Sequence, residues 1–114
     1  MESEKLSFVR VCAEYEFAEW ELAELVERGE IAAVVDEGGG MWFESAEILR
    51  YLRENHYLIS LVVASRICNR ATSTLRQQIY KGHLHGKKIG LPRGIWVTTL
   101  ANLENYMDDY SRNV

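Results

Sequence analysis

The residues with the most chemistry to offer lie in the second half of the chain. Between Ile59 and Thr98 there are seven bases, Arg66, Arg70, Arg76, Lys81, Lys87, Lys88 and Arg93, and no acid. A helix from Thr72 to Lys81 with Leu75 and Ile79 turned inward places Ser73, Arg76, Gln77, Tyr80 and Lys81 on the opposite side, with Thr72 at its N-terminal edge. Those side chains suit duplex DNA. Arginine pairs bidentately with guanine O6 and N7, glutamine with adenine N6 and N7, and the serine and threonine hydroxyls suit phosphate. Lys87, Lys88 and Arg93, beyond the helix, would grip the flanking backbone or enter the minor groove, and Arg70, just ahead of it, is counted with the DNA-binding residues. The competing reading is a solvated basic face on a purely structural helix.

The first half has the opposite chemistry. Residues 1–56 carry fourteen acids against five bases, a balance of −9, whereas residues 57–114 carry eight bases against three acids, a balance of +5. The overall −4 conceals this division, and any nucleic-acid work belongs to the second half. On the corresponding helix of the first half, Glu19, Trp20, Ala23, Glu24 and Glu27 take the outward places. Carboxylates there would be repelled by a phosphate backbone. An indole among them suits a protein partner or another copy of the chain, since tryptophan is enriched among interface hot spots and a charged rim selects a basic surface. The alternatives are that Trp20 packs into the core of its own half or against the second half, and that the acidic face masks the basic one within the chain.

No nucleophile elbow, P-loop, HExxH or paired-carboxylate constellation is present, so no enzyme activity is expected. His83 and His85, two apart on an expected strand, lack a third ligand, and Cys12 and Cys68 lie in apolar segments without metal spacing. The expectation is two buried thiols, with no metal, disulfide or cofactor. Apolar runs such as Ile31–Val35 and Leu61–Ala64 are too short to span a membrane, and residues 1–5 lack a signal-peptide pattern, so a cytoplasmic protein is expected.

These residues are positioned by a repeated string of elements. A shift of 53 residues lays Val26–Ile31 over Ile79–Leu84 and Leu22 over Leu75. One further residue of shift lays Met41–Phe43 over Ile95–Val97, Leu49 over Leu103 and Leu52 over Tyr106. In the second copy Ser60 caps a helix from Leu61 to Cys68, and Asn69 tolerates a left-handed turn. The Thr72–Lys81 helix ends at Gly82, and strands Leu84–Ile89 and Ile95–Val97 follow, joined by Gly90-Leu91-Pro92-Arg93-Gly94. A last helix begins after Thr98 or Thr99, with Leu100, Leu103, Tyr106, Met107 and Tyr110 on one face. The first copy has helices Phe8–Tyr15 and Glu19–Arg28, a turn at Glu16-Phe17-Ala18, Gly29, and a hairpin around Asp36–Gly40.

The segment from Ile59 to Leu103 resembles the winged helix-turn-helix of the excisionase and MerR-type DNA-binding families. Ala64-Ser65-Arg66, Asn69-Arg70-Ala71, Ser73-Thr74-Leu75-Arg76-Gln77, Gly82 and Trp96 stand where those families typically show Ala-Ala-Arg, Gly-Val-Ser, Ser-Thr-Val-Arg-Arg, a glycine and a tryptophan. Arg70 replaces an apolar turn residue and Ala71 a capping serine, which implies a looser turn. The run Phe8, Cys12, Phe17, Glu19, Leu22, Val26, Gly29 and Trp42 is similar to the acidic MerR-like domain of bacterial chaperone modulators, which bind a J-domain co-chaperone rather than DNA. The expected fold is therefore mainly α with small β-hairpin wings, a tandem duplicated winged helix-turn-helix. Residues 1–56 would make protein contacts and residues 57–114 would bind double-stranded DNA, as a transcriptional regulator or a recombination factor. A protein–protein adaptor that does not bind DNA is the alternative.

Overall fold

The computed structural model describes residues 3–90 and 93–112, and it separates into two compact units, Met1–Asn55 and His56–Val114. The division falls one residue before the boundary read from charge. Unit 1 runs β1 (Lys5–Ser7), α1 (Phe8–Tyr15), α2 (Glu19–Glu27), β2 (Val34–Val35), β3 (Met41–Glu44) and α3 (Ser45–Glu54). Unit 2 runs β4 (Leu58–Ser60), α4 (Leu61–Cys68), α5 (Thr72–Tyr80), β5 (Lys87–Ile89), β6 (Ile95–Thr99) and α6 (Leu100–Arg112). The order of elements is the same in both. Leu91 and Pro92, within the expected β5–β6 loop, lie outside the described residues.

Each unit contains a three-stranded antiparallel sheet, ordered β1-β3-β2 in unit 1 and β4-β6-β5 in unit 2. The architecture is therefore mixed α and β, about half helical, rather than helices with bare hairpins. The strands missed by periodicity are β1 and β4. Each is only three residues long, with a single buried side chain, Leu6 or Ile59, between two outer ones, too short a run to signal alternation.

Local chemistry explains why the helices start and stop where they do. Ser7 and Ser60 cap α1 and α4 by accepting from the backbone N–H of Arg10 and Val63 at 3.2 and 3.3 Å. Both helices end on a left-handed residue, Glu16 at φ 60° and Asn69 at φ 56°. The chain then turns directly into α2 or α5. These close on Gly29 and Gly82, whose φ values of 76° and 82° favour a residue without a Cβ. In unit 2 the Gly82 N–H donates to the Ile79 carbonyl at 3.0 Å and the His83 N–H to the Gln78 carbonyl at 2.9 Å, satisfying the last carbonyls of α5. Unit 1 does the same from Gly29 to Val26 and from Glu30 to Leu25.

The residues after these turns correct the expected strand from Leu84. Leu84 is buried and its N–H donates to the Gln78 carbonyl, so the backbone still belongs to the end of α5. The His85 carbonyl accepts from the buried Thr98 hydroxyl at 2.7 Å, and pairing with β6 begins only at Lys87. His83 and His85 thus do not alternate along a strand. A second correction concerns the repeat. Leu100 begins α6 where Ser45 begins α3, so the last helices match at a shift of 55, bringing Ile48 over Leu103 and Tyr51 over Tyr106, all four buried.

Each unit has an apolar core of its own. Leu6, Val11, Leu22, Ile31, Phe43, Ile48 and Leu52 fill the first, and Ile59, Val63, Leu75, Leu84, Val97, Leu100 and Leu103 the second. Cys12 and Cys68 are free and half-buried rather than fully enclosed, and burial pushes both thiols above their usual pKa. No helix among the described residues is long and apolar enough to cross a membrane. Removing Leu75 by substitution to Ala is expected to cost unit 2 about 2–5 kcal/mol. Gly86→Ala is expected to cost about 1–3 kcal/mol, because a Cβ there would stand 2.6 Å from the Ile79 side chain and 2.9 Å from the Val97 carbonyl. Urea unfolding of the full chain measures both.

Candidate nucleic-acid interface

Leu75 is completely buried, which fixes the rotation of α5 about its axis. Thr72, Ser73, Arg76, Gln77 and Tyr80 are all exposed as a result, as is Lys81 at the C-cap. Helix and hairpin are tied together by an edge-on ring contact between Tyr80 and Trp96, with centroids 5.2 Å apart at 67°. Trp96 pairs across the strands with Lys88, so the hairpin that carries Lys87 and Lys88 is held beside the C-terminal end of α5. Arg93 is exposed on the far side of the hairpin loop. Arg76, Lys81, Lys87, Lys88 and Arg93 form no ion pair among the described residues.

Arg70 stands apart from this set. Its guanidinium lies 4.2 Å from the centre of the Tyr110 ring, a cation–π contact with α6, and its Nε is buried without a hydrogen-bond partner. Its carbonyl accepts from the Ser65 hydroxyl at 2.5 Å, which closes the turn expected to be loose. Ala71, at the N-cap of α5, supplies no side-chain bond, but its carbonyl accepts from the Leu75 N–H at 3.1 Å. Arg70 is thus directed toward its own unit rather than outward with Arg76.

In unit 1 the equivalent surface is built on the same backbone with other side chains. Glu19, Trp20, Ala23 and Glu27 are exposed, and Trp20 at 71% does not belong to a core. Glu24 is half-buried and paired with Arg28 at 2.6 Å, one of several pairs that occupy the bases of this unit. Arg10 binds Glu4 and Glu14, and Arg50 binds Glu47 and Glu54. The Arg10 and Arg28 pairs are exposed and contribute little stability, whereas Arg50 holds the partly buried Glu47 carboxylate through two bonds. Their electrostatic effect is to leave the outward face of α2 with uncompensated carboxylates at Glu19 and Glu27, which pair with nothing among the described residues.

The β2–β3 hairpin of unit 1 is organised by Asp36, which the sequence places in the hairpin without a role. Its carboxylate accepts from the backbone N–H of Gly38 and Gly40 at 3.0 and 2.7 Å and from the Trp42 indole N–H at 2.8 Å. The Trp42 bond is the first cause holding its pKa below the usual carboxylate range, with the backbone donors adding to it. The signal was available in the sequence, since an aspartate two residues before glycines commonly bonds its own backbone.

Beside α6 an open groove of about 840 Å³ is lined by Gln78, His83, His85, Asn102, Asp108 and Tyr110. His83 Nδ1 lies 3.0 Å from the Gln78 side-chain oxygen. The described residues contain no group of three side chains able to hold a metal ion. Comparison with known proteins finds no matching family model, curated protein or solved structure.

Two outcomes follow from this geometry. Trp20→Ala is expected to change stability by no more than about 0.5 kcal/mol, the ordinary effect of a surface substitution, whereas a midpoint lowered like that of Leu75→Ala would show that the indole packs inside. The Asp36 carboxyl is expected to titrate below the model-peptide value. Because its folded pKa is depressed, its contribution to the hairpin is complete above the unfolded pKa and is lost as pH falls through the folded one. Carboxyl NMR titration, with Trp42 fluorescence as the second readout, measures this.

Proposed function

We propose that the protein binds duplex DNA through unit 2, with α5 as the reading helix of a winged helix-turn-helix and the β5–β6 hairpin as its wing. The observation that carries this reading is the set of five exposed cations on α5 and the adjoining hairpin, unpaired among the described residues, in a stretch without acids. On this reading Arg76 and Gln77 contact base edges in the major groove, Thr72 and Ser73 bind phosphate at the start of α5, and Lys87, Lys88 and Arg93 grip the flanking backbone. Tyr80 and Lys81 complete the helix face. Arg70 serves as a brace for the turn. The resemblance to excisionase and MerR-type proteins points the same way, toward transcriptional regulation or control of recombination.

Unit 1 is assigned protein contacts, because its outward helix exposes a tryptophan among glutamates. The same observation supports a second reading, an adaptor that does not bind DNA and resembles the chaperone modulators. DNA binding decides between them.

Fluorescence anisotropy of the full chain with a mixed-sequence duplex is expected to show binding that weakens steeply with salt. If about four cations neutralise phosphates, log K falls against log salt with a slope of about −3 to −4. No binding at low salt would refute the DNA reading and leave the adaptor. In a selection from random duplexes, Arg76→Ala and Gln77→Ala are expected to broaden the preferred sequence, each removing about 1–3 kcal/mol of discrimination. Lys87→Ala and Lys88→Ala are expected to weaken all sequences alike and lower the salt slope by about 1 each. An unchanged preference in the helix variants would remove α5 from the reading role.

A further inference from the structure

Phosphate binding leaves part of the unit 2 surface unused. Ile95 is 58% exposed and Ile89 36%, and the two face each other across the hairpin. In unit 1 the short strand β2 presents Val34 and Val35, 64% and 61% exposed, with Val35 at the register place of Ile89 and Val34 at that of Lys88. The second helix of each unit adds one outward aromatic, Trp20 at 71% and Tyr80 at 70%. Each unit therefore exposes an aromatic on its second helix and aliphatic side chains on its hairpin, although the hairpin residues are arranged differently in the two. Their charges are opposite, carboxylates at Glu19 and Glu27 against cations at Arg76, Lys81, Lys87 and Lys88.

We propose that the acidic face of unit 1 in one copy of the chain docks on the basic α5–hairpin face of unit 2 in a second copy, covering the DNA-binding surface. This rests on the reading of that surface as DNA-binding. The occupant is fixed by charge complementarity, since the chain itself carries the matching face at equal concentration. Two acidic faces would repel each other, as would two basic ones. Two reciprocal contacts of unit 1 with unit 2 close a two-fold dimer and leave no free end for further growth. The outward aromatics Trp20 and Tyr80 would give the contact its desolvated centre, and the charges would set its partner and orientation. DNA and the second copy then compete for the same cations, so the fraction of protein open to DNA falls as protein concentration rises.

Light scattering of the full chain without DNA tests this. A dimer is expected at about 50 mM salt and a monomer at about 500 mM, where charges are screened over a few ångströms. Trp20→Ala is expected to weaken the dimer about tenfold or more. Glu19→Lys with Glu27→Lys, and separately Arg76→Glu with Lys81→Glu, should each give a monomer alone. Mixed together they should form a heterodimer, because each then offers the face the other needs. Circular dichroism checks that each variant is folded, and Trp20→Ala keeps the test open if a double variant is not. Added duplex DNA should dissociate the wild-type dimer. A wild-type chain that stays monomeric at low salt, a dimer indifferent to Trp20 and to the charge reversals, or folded double variants that remain monomeric when mixed would overturn the proposal. Because mass is read without DNA, a failure of the DNA reading alone leaves the association results as they are.

Discussion

The phase of α5 depends on Leu75. A helix presents a given row of side chains outward only if another row is held inward, and Leu75 has no exposed surface at all. Its burial commits Arg76 and Gln77 to the outside, and the left-handed residue Asn69 sets where the helix starts. The Tyr80–Trp96 ring contact and the bonds from Gly82 and His83 hold the other end. Rotation of α5 by one residue would bury the arginine and expose the leucine. The cost of that exchange, a desolvated charge and a hydrated leucine, keeps the outward row defined.

Unit 1 shows how little of this depends on the outward residues themselves. Leu22 is as completely buried as Leu75, Ser7 caps as Ser60 does, and Glu16 turns through the left-handed region as Asn69 does. Asparagine suits that conformation better than glutamate, which therefore carries more local strain, of order 1 kcal/mol. With the frame set by buried leucines, capping serines and closing glycines, the outer face is free to carry either sign of charge. Unit 1 also pairs Arg10, Arg28 and Arg50 with neighbouring glutamates, whereas the cations of the unit 2 face form no ion pair among the described residues. A cation kept free of internal partners remains available to an outside anion without first breaking a contact.

Much of this organisation was legible in the chain because it rests on short-range rules. Ser60, Asn69 and Gly82 are recognisable by type and spacing, and α4 falls where they place it, from Leu61 to Cys68. The outward row of α5 followed from two apolar residues four apart. What escaped depends on tertiary contact. β1 and β4 each owe their strand character to pairing with a distant partner, Lys5–Ser7 with Trp42–Glu44 and Leu58–Ser60 with Val97–Thr99. Leu84 looked like the first residue of a strand because it is apolar and follows a glycine. Only the bond from its N–H to Gln78 shows that it finishes the helix instead.

Arg70 shows the same limit at the level of a single side chain. By type it matched its basic neighbours, and composition gave no reason to separate it from Arg76. The ring of Tyr110, forty residues later, lies within 4.2 Å and gives the guanidinium an attractive surface inside its own unit. A guanidinium held over an aromatic ring, with its Nε shielded from water, is fixed in direction and can meet phosphate only through its remaining in-plane donors. Arg76 makes no ion pair or ring contact among the described residues. Two arginines six residues apart therefore differ in what they can offer a ligand, and the difference lies in α6 rather than in the sequence around either one.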